Sequence, residues 1–152
     1  MGTLNESDLR LFVDSVRRYF QVTTRIEPEI TSAYLAVEDL EGHEFNGIVS
    51  FSGAYNGHVI VSMPTAALKE LLVLQQEQDL SDSALLDAVG EVANTLAGNA
   101  RKHFGPGLDI SVPVRMQGRS GTHARVRRHP YVMTLRWNSY PATVWVDLER
   151  TH

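Results

Sequence analysis

Glu91 and Asn94, a carboxylate and a carboxamide three residues apart, are the side chains in this sequence best spaced to act together. On an α-helix that spacing turns both to one side, one turn from each other. A carboxamide is neutral; it accepts a hydrogen bond through oxygen and donates through nitrogen, so it can hold a water and touch an anionic oxygen at once. A carboxylate repels anions and attracts lysine or arginine. Asp87 and Gly98 extend the line, because positions 87, 91, 94 and 98 step by four, three and four. Gly90 and Gly98 flank the pair, although an interior helical glycine gives up about 1 kcal/mol relative to alanine. Small residues beside an exposed pair keep a face flat, so a second surface can approach closely. A Glu-x-x-Asn triplet arises often by chance, and its meaning depends on the element that carries it.

That element is a predicted helix over residues 81–104, with Ser81 as N-cap and Gly105-Pro106-Gly107 as the stop. Leu85, Leu86, Val89, Val92, Ala93, Leu96, Ala97, Ala100 and Phe104 form one broad apolar stripe, the side to be buried. Asn99 lies nearer the border of that stripe, where a structural hydrogen bond is its expected use.

Composition bounds the setting. The chain has 152 residues, 43% hydrophobic and 21% charged, which is enough for one domain, spanning 1–152, with a real core. A net charge of −4 argues against nucleic acid as the main partner. No apolar run approaches the roughly 18–20 residues a membrane span needs, and MGTLNESDLRLF lacks the layout of a signal peptide. With no cysteine there is no disulfide or thiol chemistry, which fits a cytoplasmic protein. The six histidines show no i, i+4 pair, so no metal ligand set is expected.

Ahead of the long helix, Thr3 and Glu6 have capping-box spacing, and Leu9, Phe12, Val13, Val16, Tyr19 and Phe20 predict a helix over 5–21 that ends before Val22-Thr23-Thr24. Tyr34, Leu35, Ala36 and Val37 fit a strand, followed by a polar turn at 39–43. Strands over 48–52 and 58–63 flank Gly53-Ala54-Tyr55-Asn56-Gly57, where Asn-Gly signals a hairpin turn. Pro64 suits the first turn of a second helix with Leu68, Leu71 and Leu72 inward. After the long helix, 108–116 reads as a strand whose Pro113 makes it an edge or a bulge. Alternation at 131–138 and 144–148 around Ser139-Tyr140-Pro141 gives a closing hairpin. Trp137, Trp145, Tyr131 and Phe51 are expected to pack. The basic stretch at 119–129 is expected to be a solvated connector that binds no DNA. The sum is an α+β fold: a single two-layer domain, with a hairpin-built sheet packed on a long central helix and two further helices.

The string Asp87-x-x-x-Glu91-x-x-Asn94, continued by Ala97-Gly98-Asn99-Ala100, resembles the signature helix of the CheC/CheX/FliY family of chemotaxis phosphatases. A hairpin ending Ser62-Met63-Pro64 and the run Ile110-Ser111-Val112-Pro113 follow the same order, and one signature helix rather than two is similar to CheX. The resemblance implies a phosphatase that docks on a phosphorylated CheY-type response regulator and accelerates hydrolysis of its aspartyl phosphate. It makes Glu91 and Asn94 catalytic: Asn94 orients the attacking water, and Glu91 pairs with a lysine of the partner. It gives Asp87, Gly90 and Gly98 to partner binding, and Pro113 to architecture. It assigns no cofactor to this chain, since Mg2+ belongs to the partner receiver domain, and it implies a homodimer through sheet edges. The alternative is a non-catalytic scaffold of the same fold that binds a receiver and leaves its phosphoryl lifetime alone.

Overall fold

The computed structural model describes residues 5–36, 42–118 and 130–151. Its elements are α1 (Glu6–Thr24), β1 (Glu29–Leu35), β2 (Phe45–Gly53), β3 (Tyr55–Met63), α2 (Thr65–Leu74), α3 (Asp82–Phe104), β4 (Leu108–Ile110), β5 (Val114–Gln117), β6 (Tyr131–Trp137) and β7 (Tyr140–Arg150). The strands form one antiparallel sheet in the order β1-β6-β7-β3-β2, with β4 and β5 successively on the outer edge of β2.

Period-two alternation decides which side of this sheet the helices cover. Phe45, Val49 and Phe51 of β2, Val59 and Val61 of β3, Val144 and Val146 of β7, and Met133, Leu135 and Trp137 of β6 share one core with all three helices. The intervening residues Ile48, Ile60, Trp145 and Val132 join Ala36 and Met116 in a smaller cluster on the other face. Tyr131 packs against the main core, so the four aromatic residues expected to pack all do so. The fold is α+β, with three helices and a seven-stranded antiparallel sheet among the described residues.

Three local expectations need correction. The capping box of α1 is built by Asn5 and Asp8, each side chain accepting from the other's backbone N–H at 2.8 and 3.1 Å, while Thr3 lies outside the described residues. The helix then runs on through Val22 and Thr23, because Thr24 is fixed twice: its hydroxyl donates to Phe20 O and accepts from Trp137 Nε1 at 3.2 Å. The Asn56-Gly57 dipeptide is not the turn of the β2–β3 hairpin. Gly57 is paired within β3 at φ +149°, where a Cβ would fall 1.6 Å from Asp147 O, and the chain reverses at Ala54 instead. Gly57 is thus needed for the close approach of β7, not for reversal.

The strand expected at 34–37 begins earlier, at Glu29, and Val37 lies outside the described residues, as do the basic stretch 119–129 and most of the polar turn at 39–43. In the β6–β7 hairpin, Trp137 pairs with Tyr140 across Asn138 and Ser139, both at positive φ, as a two-residue turn requires.

Candidate functional site

The long helix α3 starts where its hydroxyl cap predicts, with Ser81 Oγ accepting from Ala84 N–H at 3.3 Å, and ends at Gly105. Asp82 occupies its first turn and Arg101, Lys102 and His103 its last, matching the sign of the helix dipole at both ends. Leu85, Val89, Val92, Ala93, Leu96, Ala97 and Ala100 are buried, and Leu86 and Phe104 pack partly against the core.

The helix rests on the sheet backbone to backbone. A Cβ on Gly47 of β2 would stand 2.5 Å from Val89 O and 3.1 Å from Gly90 Cα, so only glycine permits this crossing. Gly90 is enclosed on its other side: a Cβ there would meet the Arg115 side chain at 3.0 Å and Pro113 Cβ at 3.6 Å. Gly90 therefore does not belong to the open outer face the spacing predicted, and its glycine serves the helix–sheet contact. Gly98 does have free space, with no neighbour within 4 Å of its Cβ position.

Both flanks of α3 are pinned. On one side Gln117 Nε2 donates to Asp82 Oδ2 at 3.3 Å, and the Arg115 guanidinium pairs with the Asp87 carboxylate. On the other side α1 runs antiparallel to α3, since Asp8 near its start meets His103 Nε2 at 3.2 Å and Tyr19 near its end lies close to Glu91. Burial, and then the charge of Glu91, push the Tyr19 phenol up to about 12, with hydrogen bonds to Gln75 and Thr23 opposing.

Between these flanks Asp87, Glu91 and Asn94 are exposed along one line. Asp87 is engaged by Arg115, a contact the resemblance did not supply. The side chains of Glu91 and Asn94 make no hydrogen bond or ion pair with any described residue. An unpaired carboxylate and an unpaired amide one turn apart, on a helix fixed at both flanks, can meet a cation and a water-bearing anionic group on another surface. Arg115 and Tyr19 carried no signal in the sequence, because their place beside α3 follows from the packing of β5 and α1. No group of three or more His, Asp or Glu suited to a metal occurs among the described residues, and no described helix is long and apolar enough to cross a membrane.

Comparison with known proteins adds the ancestry. CheX from Vibrio vulnificus superposes with a TM-score of 0.78 at 18% identity, covering 94% of this chain and 99% of that one. CheX from Desulfovibrio desulfuricans gives 0.77 at 21% identity, with 94% and 99% covered. The CheX–CheY–BeF3–Mg2+ complex from Borrelia burgdorferi gives 0.76 at 17% identity, with 93% and 97% covered. These likenesses establish a common fold, and no curated protein sequence matches. Residues 45–136, a stretch that contains all of α3 and the β4–β5 edge, match the family described as chemotaxis phosphatase CheX, and this chain belongs to that family.

Proposed function

We propose that this protein docks on a phosphorylated CheY-type receiver domain and accelerates hydrolysis of its aspartyl phosphate. The observation that carries the reading is the exposure of Glu91 and Asn94 on one side of the family's signature helix, with neither side chain tied to a described residue. Membership in the phosphatase family and the complex of a Borrelia relative with CheY support it.

Hydrolysis of an acyl phosphate requires a water in line with the bond that breaks. Water attacks phosphorus, the P–O bond to the aspartyl carboxylate breaks, and the products are inorganic phosphate and a free carboxylate. Asn94 enters the receiver's pocket because it is neutral; its oxygen accepts from the water while its nitrogen donates to a phosphoryl oxygen. Glu91 stays at the rim and pairs with a receiver lysine. The Mg2+ that neutralises phosphoryl charge is held by the receiver's own carboxylates. Asp87, bound to Arg115, lines the rim of the docking face, and Gly98 keeps that face low enough for close approach.

Two copies pair through the sheet edge at β1. That strand is exposed at every residue but Ile30, with Tyr34 and Leu35 42% and 48% accessible, and among the described residues its outer backbone edge has no neighbour in the sheet. The β4–β5 edge is interrupted and lies against the docking helix, which leaves β1 for self-association.

The test is the phosphoryl lifetime on a cognate receiver, with and without the protein. Asn94→Ala should abolish the acceleration and retain most of the binding, whereas Glu91→Lys should weaken both. Full acceleration by Asn94→Ala would refute the water-orienting role. Binding without any change of lifetime by the unmodified protein would leave the scaffold reading standing.

A further inference from the structure

Arg18 on α1 points out of the molecule on the same side as Asn94 on α3. Two residues along a helix turn a side chain through about 200°. Val16 and Phe20 are buried in the core, Phe20 stacking on Trp137 of β6, so Arg18, midway between them, is turned away from the sheet. Asn94 stands midway between the buried Val92 and Leu96 and is turned away for the same reason. The level of one helix on the other follows from two cross-contacts, Asp8 with His103 and Tyr19 with Glu91. Between them α1 climbs from 8 to 19 while α3 descends from 103 to 91, nearly residue for residue. Arg18 therefore lies beside position 92, between Glu91 and Asn94. Packed helices stand about 8–10 Å apart, so a long side chain on α1 overlooks the docking line.

Arg18 is exposed and makes no hydrogen bond or ion pair with any described residue, Asp14 one turn before it included. The docking line is short of such a charge. Asp87 is already met by Arg115, Glu91 is an open negative charge, and Arg101 and Lys102 stand about two turns beyond Asn94 at the end of α3. A receiver pocket that carries an aspartyl phosphate and the carboxylates for its Mg2+ has an acidic rim. Glu91 is repelled by that rim everywhere except at the one lysine it seeks. We propose that Arg18 is a specificity-determining contact of the docking face, meeting an acidic side chain at the rim of the phosphorylated receiver's pocket while α3 inserts Asn94. The proposal rests on the receiver-docking reading above. A solvated ion pair adds little to affinity by itself. Its weight falls on the rate of encounter and on the choice of partner, because a like charge at that place is repelled.

The experiment uses a CheY-type receiver, phosphorylated for lifetime measurements and loaded with beryllofluoride for binding by fluorescence anisotropy. It compares the unmodified protein with Arg18→Glu, Arg18→Lys and Arg17→Glu. Arg17→Glu makes the same change of net charge elsewhere: residue 17 is midway between Ser15 and Tyr19, which with Asp8 form the row toward α3, and so it is turned away from α3. Arg18→Glu should raise the half-saturating concentration roughly tenfold at about 50 mM salt and no more than about twofold at about 500 mM, where screening is strong. Its saturating rate should stay within about twofold. Arg18→Lys and Arg17→Glu should each stay within about twofold in half-saturation at either salt concentration. All three should unfold at the temperature of the unmodified protein, since both arginines are exposed. Unchanged half-saturation in Arg18→Glu at low salt would overturn the proposal, and so would an equal loss in Arg17→Glu, which would mean that only net charge matters. If the unmodified protein binds without shortening the lifetime, the phosphatase reading fails and the anisotropy series still decides the contact. If it neither binds nor accelerates, both fall.

Discussion

Replacing Gly98 by alanine should pull stability and docking in opposite directions. Gly98 is well inside α3, at ordinary helical φ, and nothing lies within 4 Å of the position its Cβ would take. A methyl group there meets no neighbour and removes backbone entropy from the unfolded chain, so alanine should stabilise by about 0.8–1 kcal/mol. For a domain of this size that is a rise of about 2–4 °C in unfolding temperature. The same methyl stands on the line of Asp87, Glu91 and Asn94, where the proposed docking requires the receiver to lie close. Lifting the receiver off the helix should cost about 1 kcal/mol or more in affinity, roughly fivefold. Thermal or urea unfolding reads the first effect; the concentration dependence of phosphoryl loss reads the second. A less stable Gly98→Ala would mean that the space is not open, and the geometry of α3 would be wrong. A more stable variant with unchanged half-saturation would remove Gly98 from the docking face.

Gly47→Ala is the contrasting case, because its Cβ would strike the Val89 carbonyl at 2.5 Å, a backbone atom that cannot swing aside; a loss of roughly 2–3 kcal/mol is expected in urea unfolding, and a neutral result would contradict the close crossing. Tyr19 should make the fold alkali-sensitive. Its folded pKa of about 12 exceeds the ordinary tyrosine value of 10.0, so its contribution is complete below about pH 10 and is lost as pH rises through 12. The span is worth roughly 3 kcal/mol, and urea midpoints of the unmodified protein should fall faster over that window than those of Tyr19→Phe; parallel profiles would refute it. Pairing at β1 predicts a species of twice the 17.0 kDa chain mass in sedimentation, and a lone 17.0 kDa species at high micromolar concentration would exclude it.

Where local chemistry and long-range packing demand the same thing, the sequence was readable. Ser81, the apolar stripe and the glycine stop define α3 without reference to anything else, and the outward line of Asp87, Glu91 and Asn94 follows from helical period alone. Pro113 announced an irregular edge for an equally local reason, its missing donor. Asn56-Gly57 misled because a glycine that permits a turn looks the same as one that admits a neighbouring strand; only the partner at Asp147 tells them apart. Gly90 misled similarly, since it looked like a gap in a surface and is a contact with β2. Arg115 and the Tyr19 phenol stand beside the site through tertiary packing, which no window of local sequence contains.

The glycine-to-glycine contact between β2 and α3 has a bearing on how such a protein can change. Where a helix rides on side chains, its height above the sheet drifts with every exchange of valine for leucine beneath it. Here, at Gly47 and Gly90, main chain sits on main chain, and the standoff is set by van der Waals contact between backbone atoms. The depth to which the amide of Asn94 can reach is thereby insulated from substitutions in the rest of the core. The surrounding interior is free to vary while the reach of the tool stays constant.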